Sequence, residues 1–505
     1  MGPPRSDARV EPAVSRGAIG RSAETSIGSE PGAARERGRL ALLLAVSTLL
    51  LSFDLGRWVL ATNDETRFPM LARDILAQGH WWLPRLNGVA HLNKPPLYAW
   101  LIAIAAWPTG AVTQQTAAYP SVLAALGTVG ATYWIGRRLF SREVALAAGL
   151  IVVTTYGVFT MARVPMPDMM FCFALSGAIA AFIAAEFDGR RWALALLYGM
   201  VGVAFWTKGP AALLALAVAV GYTWATHGWA GAARRLALAP GLFLLVLVVL
   251  PWWLLDAGAG GGEFTQRIVL DDWLLWYFPA VTWSWRAVTD PIGQALTILL
   301  PWAPLLPFVV WSALRTGGRE SPRAMRVLLI WAATVFFLIA ISRQQRMRYY
   351  LPLCPPAALL IAAWCSGLPM AHRRVTFAGG WTVVALGLCL WQVHASARHN
   401  EATDLQAIAR EISQSPKPLY TFDVPELVLA FYLERTVALL PDSARLQSLV
   451  AEGRSGYLVI ADRAVPRALS SGLHRIGGGR VNGRPLSLFN DKEVDPAPTT
   501  AAGPV

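Results

Sequence analysis

The chain has 505 residues, of which 55% are hydrophobic and only 15% charged, with 22 Trp and 34 Pro. A soluble globular protein is nearer a quarter charged, so the composition excludes a chain soluble as a whole and describes a protein that crosses a membrane several times. The formal charge of +13 is carried by arginines scattered at the ends of apolar runs. They read as topology signals, not as a nucleic-acid surface.

Residues 1–38 are rich in Gly, Pro, Ser and Arg without apolar periodicity, which predicts a disordered cytoplasmic tail. The first apolar run then reads as an uncleaved signal anchor. Stretches able to cross a bilayer, about 20 residues each, fall near 39–60, 117–136, 144–162, 168–186, 192–207, 209–227, 236–256, 291–314, 325–342, 350–368 and 375–394. That pattern predicts a polytopic α-helical protein with about eleven to thirteen spans within residues 39–395. Arg137, Arg138 and Arg142, then Arg190 and Arg191, Arg234 and Arg235, Arg315 to Arg326, and Arg373 and Arg374 occupy alternate loops. With the basic tail, they put the N-terminus inside and the C-terminus outside.

Two long loops then lie outside, 61–113 and 257–290, the second carrying Asp271, Asp272 and Arg286. In the first, Thr62 and Glu65 have capping-box spacing, and Phe68, Leu71, Ile75 and Leu76 form an apolar stripe at helical spacing. A short amphipathic helix along the outer surface is expected. Because Thr62 and Glu65 can supply its cap, Asp64 either favours the helix N-terminus or is free for chemistry. Asp168 follows the break Pro165-Met-Pro167 at the outer start of a span and has the same two readings.

Basic residues are unexpected on the outer side, yet Lys94, Lys208 and the run "SRQQRMRYY" (Ser342 to Tyr350) fall there. Snorkelling explains any one of them. Three such sites suggest an anion at the outer interface, a lipid phosphate being the obvious candidate. Two carboxylates and three basic sites fit a group transfer in which a base activates a hydroxyl and cations neutralise a departing phosphate.

From about residue 397 helical patterns alternate with strand-like runs at 418–422, 435–440 and 456–461. A small α/β domain over 397–490 is expected, followed by a frayed tail, 491–505. Cys172, Cys354, Cys365 and Cys389 all lie in apolar spans without a CxxC pair, and no HExxH occurs.

Taken in order, "NDETRFPMLARDIL", "GHWWLPRLNGVAHLNKPPLYAWL", "MPDMM", "WTKGPAALL" and "RMRYYLPLCPPAALL" resemble the bacterial aminoarabinose-transferase and protein O-mannosyltransferase superfamily of GT-C glycosyltransferases. The resemblance covers roughly 39–395, and "FYLERTV" (431–437) is similar to the outer domain of those enzymes. It implies a GT-C-like fold with a C-terminal periplasmic domain, in a bacterial inner membrane. It further implies inverting transfer of a sugar from a polyprenyl phosphate to a lipid, glycan or protein acceptor.

By the same resemblance Asp64 is the essential acid and Asp168 the second acid. Lys94 and Lys208 face the lipid phosphate, and the basic run supplies Arg343 and Arg346 with Tyr349 and Tyr350; Glu65 is counted with these substrate-binding residues. In the implied single displacement, Asp64 takes or orients the acceptor proton and Asp168 positions the acceptor. Lys94, Lys208 and Arg346 stabilise the leaving phosphate. Where the acceptor is itself a phosphate, as in lipid A modification, Asp64 holds the sugar instead.

Two departures stand out. Many relatives carry a metal-binding Glu before Lys-Pro-Pro, where this chain has Asn93, so no cofactor is expected and a divalent metal is disfavoured. The fourth outer loop reads "VTWSWRAVTDP" in place of a His-Arg-x-Pro run. A transporter or flippase of lipid-linked sugars would want ionisable residues at mid-membrane and inverted repeats, whereas a non-catalytic relative needs only the fold.

Overall fold

The computed structural model describes residues 30–263, 285–316, 322–342, 345–367 and 373–490, with Gln266 and apart from scattered positions between 406 and 473. Asp271, Asp272 and Arg343 lie outside these residues, as do 1–29 and 491–505.

The chain is mostly helical and ends in a small sheet domain. Helix α1 (Glu30–Ser52) begins two turns earlier than expected. Residues 30–38 are helical, not disordered, because Glu36 pairs with Arg137 and lies 3.7 Å from Arg142 across the bundle. After the outer helix α2 (Asn63–Gln78) comes a two-residue hairpin of β1 (Arg85–Leu86) and β2 (Val89–Ala90). Helix α3 (Leu97–Ala106) then leads into α4 (Gln114–Leu139), α5 (Arg142–Val153) and the short α6 (Tyr156–Met161). The bundle continues through α7 (Asp168–Phe187), α8 (Ala193–Lys208), α9 (Leu213–Arg235) and α10 (Leu238–Glu263). It closes with α11 (Trp285–Ile298), α12 (Leu306–Thr316), α13 (Pro322–Ala340), α14 (Cys354–Ser366) and α15 (Arg373–Glu401).

Each of the eleven apolar stretches overlaps a helix or a broken helix pair. Among the described residues six helices, or seven if the bent pair 285–298 and 303–312 counts as one span, are long and apolar enough to cross a membrane by themselves. The difference has local causes. The first turns of α1 carry charges, α4 is diluted by Gly, Thr and Tyr, and α5 stops at Thr154. Helices α8 and α9 form one 43-residue run, Ala193–Arg235, broken by the 3-10 turn Gly209–Ala212. The main core is built largely from α4, α5, α7, α8, α9 and α14, with Ala and Gly faces letting the helices approach closely.

Beyond α15 the strands β3 (Leu419–Phe422), β4 (Val437–Leu439), β5 (Tyr457–Ala461), β6 (His474–Val481) and β7 (Arg484–Asn490) form one sheet in the order β4-β3-β5-β7-β6. Strand β3 is parallel to β4 and β5, and β7 is antiparallel to β5 and β6. Helix α16 (Glu426–Leu433) connects β3 to β4 and packs on α2, where Phe431 and Tyr432 join the outer-loop core around Phe68, Leu71 and Tyr98.

Candidate active site

The site starts from the way α2 begins. Thr62 accepts a hydrogen bond from the Glu65 amide, and Glu65 closes the capping box. Glu65 does more than cap. Its Oε2 accepts from the Ala61 and Thr62 amides, both at 3.0 Å, and from the Thr62 hydroxyl at 2.9 Å, while Oε1 accepts from the Trp58 indole at 3.2 Å. Both oxygens are occupied within the chain. Glu65 therefore holds the loop entering α2, beside the substrate-binding role that the resemblance implies for it.

Asp64, freed from capping, turns to cations. Its Oδ1 lies 3.2 Å from Arg67 one turn along α2. Its Oδ2 accepts from Arg346 at 2.5 Å and from Arg348 at 2.8 Å. Those two arginines stand at the head of the 3-10 turn Met347–Leu353, which brings Arg348 across to the second acid. Arg348 Nε is 3.8 Å from Asp168 Oδ1, and Lys208 Nζ donates to the same oxygen at 2.7 Å. One arginine thus bridges two carboxylates that are 104 positions apart in sequence.

The supports of Asp168 and Lys208 follow from local sequence. Pro165 and Pro167 interrupt the chain before α7, and Asp168, 2% exposed, takes its first helical position. The freed carbonyls of that break are met by Ser121, which donates to Val164 O at 2.9 Å and lies 2.6 Å from the Tyr98 hydroxyl. Lys208 ends α8 because Gly209 adopts φ 64°, a left-handed value that suits glycine. Its ammonium lies 4.6 Å from the Tyr349 ring centroid and 5.4 Å from that of Phe171, within cation–π range.

Asp64 therefore stands in a field of opposing effects. Burial alone would raise its pKa. The hydrogen bond and charge of Arg348, with the charges of Arg67 and Arg346, outweigh burial and hold the carboxyl below its ordinary range. Asp64 is an ionised anchor in this arrangement and a weak proton acceptor while the arginines hold it.

Of the other expected site residues, Lys94 is half-buried just before α3. It borders the cluster through His91, whose pKa is pulled down to about 3 by burial first, then by Arg67 and Lys94. Tyr349 faces Lys208, as described. Tyr350 does not reach the site: it is fully buried, packs near Phe336, and donates to Gln345 at 2.6 Å. Arg343 lies outside the described residues.

Two cations of the cluster were not singled out from sequence. Arg67 was legible as a partner one turn from Asp64. Arg348 was visible only as part of a three-arginine run. Among the described residues no three His, Cys, Asp or Glu side chains converge as metal ligands, and Asn93 is exposed. A separate cleft of about 580 Å³ lies between α16 and the ends of α1 and α4, lined by Arg57, Arg73, Gln114, Tyr432 and Glu434 among others. It contains none of the acid–base cluster.

The chain is similar to known proteins over most of its length. The dolichyl-phosphate-mannose-protein mannosyltransferase family pattern matches residues 93–254. An undecaprenyl phosphate-alpha-4-amino-4-deoxy-L-arabinose arabinosyl transferase of Pectobacterium carotovorum is 28% identical over 383 residues, 72% of this chain and 65% of that protein. A Sodalis glossinidius protein of the same description is 29% identical over 66% of this chain and 60% of its own. The chain spans less than two thirds of the length of these relatives. The crystal structure of Cupriavidus metallidurans ArnT bound to undecaprenyl phosphate superposes with a TM-score of 0.76 at 21% identity, covering 93% of this chain and 99% of that one. The Archaeoglobus fulgidus oligosaccharyltransferase AglB, in complex with an inhibitory peptide and a dolichol-phosphate, gives 0.53 at 10% identity, over 87% and 71% of the two chains.

The helical bundle with its small C-terminal sheet domain has the fold of that ArnT structure.

Proposed function

We propose that the protein moves a sugar from a polyprenyl phosphate to an acceptor at the outer face of the bacterial inner membrane. The observation that carries this reading is the bridge Asp64–Arg348–Asp168–Lys208, two acids and two cations joined at one end of the bundle. The relatives' names supply the donor class: an undecaprenyl phosphate carrying an amino-pentose.

Four cations, Arg67, Arg346, Arg348 and Lys208, face two carboxylates here, and the surplus positive charge suits an anionic donor. The donor phosphate competes with Asp64 for Arg346, the most exposed of the four, and rests against Lys208 and Lys94. An acceptor oxygen attacks the anomeric carbon. The bond from that carbon to the phosphate oxygen breaks with its electron pair, and the cations stabilise the polyprenyl phosphate that leaves.

A hydroxyl acceptor gives its proton to Asp64 once donor binding has loosened the arginine clamp. An ionised phosphate acceptor, as on lipid A, has no proton to lose, and Asp64 then orients the sugar. The low pKa of the clamped Asp64 favours the phosphate acceptor. No tightly bound metal takes part, since the cluster's own cations meet the phosphate charge.

The arginine-rich loops, with the pairs Arg138–Asp188 and Arg235–Glu186, lie at the opposite end of α4, α7 and α9 from the site. They support a cytoplasmic N-terminus and a periplasmic C-terminal domain.

The test is turnover by the purified full chain with undecaprenyl phosphate-linked amino-pentose and lipid A. Release of undecaprenyl phosphate with modification of lipid A is expected, and it should persist after exhaustive chelation. Asp64→Asn should slow it by about 10²-fold, because the sugar is then held less well for attack. Undiminished turnover by Asp64→Asn would remove Asp64 from the mechanism, and loss on chelation restored by zinc or magnesium would overturn the metal-free reading.

A further inference from the structure

The segment that delivers Asp64 is held from outside itself. Between Arg57 and Asn63 the chain has left α1 and has not yet entered the regular part of α2. It is held by residues more than 330 positions away.

Asn400, in the last turn of α15, donates through Nδ2 to Arg57 O at 2.7 Å and accepts through Oδ1 from the Val59 amide at 3.1 Å. His399 stacks on Trp58 at 3.9 Å between ring centroids and lies 2.8 Å from Val59 O. The Tyr432 hydroxyl of α16 accepts from the Leu60 amide and from Gln114 Nε2, both at 2.8 Å. Asn63, next to Asp64, donates to Glu426 at 2.9 Å and accepts from the Leu427 amide at 3.1 Å. Helix α16 starts at Pro425, whose side chain cannot cap it, so Asn63 serves as its cap from another element.

A surface loop joining two helices has no need of so many distant partners. Leu60 is 1% exposed, so its amide has no water to fall back on if Tyr432 is removed. Four residues onward lies Asp64, whose carboxylate must meet three arginines at once. A general base or sugar anchor tolerates little displacement, and about 1 Å can cost 10²-fold in rate.

We propose that Tyr432 and Asn400 are positioning residues for Asp64, and that α16 with the end of α15 acts as an external brace on the acid. The proposal rests on the assignment of Asp64 above. It gives the C-terminal domain a task in the reaction apart from any contact with the acceptor. Neither residue touches the acid–base cluster. Each acts through the backbone of residues 57–60, which hands its position to Asn63 and Asp64.

Tyr432→Phe tests this with little change in shape. In the full-length protein with saturating polyprenyl-phosphate sugar donor, kcat should fall about tenfold while the donor KM stays within about twofold of wild type. Hydrogen exchange should rise over residues 57–63 and remain unchanged in α4 and α7. Asn400→Ala should reproduce the pattern if Tyr432→Phe folds poorly.

The decisive arm is the pair with Asp64→Asn. Once the carboxylate is gone its position no longer matters, so adding Tyr432→Phe should slow the residual rate no further. An equal tenfold loss in the Asp64→Asn background overturns the proposal, because Tyr432 would then act elsewhere. A slow Asp64→Asn beside an unaffected Tyr432→Phe and Asn400→Ala overturns the brace alone. Wild-type turnover by Asp64→Asn overturns the assignment of Asp64 and the brace with it.

Discussion

Arg348 is the residue on which the cluster turns. It donates to Asp64 at 2.8 Å and lies 3.8 Å from Asp168, a span that needs the two separated edges of a guanidinium. A lysine in its place can meet one acid but not both. Hydrogen bonds to charged groups contribute roughly 1.5–3 kcal/mol, so Arg348→Lys should lower kcat about ten- to a hundredfold, and Arg348→Ala at least as much. Equal turnover by Arg348→Lys and wild type in a steady-state assay would mean that the bridge is ornamental.

His91 makes a pH argument. Its Nε2 is buried without a partner, and its pKa is pulled from 6.5 to about 3 by burial, Arg67 and Lys94. Between those values the unfolded chain takes up a proton that the folded chain refuses. Stability therefore falls as pH drops below about 6.5, at a slope no steeper than about 1.4 kcal/mol per pH unit for one proton. Asp64 adds its own loss at lower pH, since its folded pKa lies below the unfolded value and its pairing disappears as the acid is protonated. His91→Phe should flatten the unfolding midpoint between about pH 6.5 and 4 in a thermal scan, leaving the steeper acid limb. A slope identical to wild type would place His91 in water.

At the scale of elements, the entry to α2 depends on Glu65. Four donors converge on that carboxylate. Glu65→Ala leaves two backbone amides without partners and should lower the unfolding midpoint by several degrees, whereas Thr62→Ala loses the hydroxyl's two bonds to Glu65 but leaves only one amide without its cap, about 1 kcal/mol. Comparing the two midpoints by calorimetry checks the order.

The capping box was legible because Thr and Glu three residues apart carry a local mechanism. The rest of Glu65's role was not, since Trp58 and Ala61 reach it through a turn that no periodicity announces. Tyr350 shows the same limit from the other side. Its neighbours Arg348 and Tyr349 face the cluster, and a 3-10 turn swings the next side chain into the core. The strands β3, β4 and β5 fall on the apolar runs read at 418–422, 435–440 and 456–461. Strands β6 and β7 were missed because three glycines dilute β6. Yet their Asn482-Gly483 turn, with φ of 55° and 75°, was a hairpin signal in plain sight. Asp64, Asp168 and Lys208 were legible as residues. Their convergence was not, because Arg348, which joins them, comes from a segment 180 positions beyond Asp168.

The whole molecule separates its charges by end. Acid–arginine pairs such as Glu36–Arg137 and Asp188–Arg138 gather at one end, and the cluster around Asp64 occupies the other with the sheet domain. If the arginine-rich end is cytoplasmic, a reporter active only in the cytoplasm should be silent when fused after Val505 and bright when fused within the loop carrying Arg234 and Arg235. The reverse pattern would turn the protein over and move the site to the cytoplasmic face.

The brace on residues 57–63 also sets the order in which the protein becomes itself during synthesis. Helices α1 to α9 can pack as they emerge, because their contacts are mostly between neighbours in the chain. The contact of Val59 with Asn400 closes a loop of 341 residues, and that of Leu60 with Tyr432 closes 372; both must wait until the far end of the chain has been made. Asp64 is among the earliest functional residues translated and among the last to be fixed. A nascent or prematurely terminated chain would hold nearly every span and still lack a seated acid, so the chain reaches its active form only when its final segment has folded back onto its beginning.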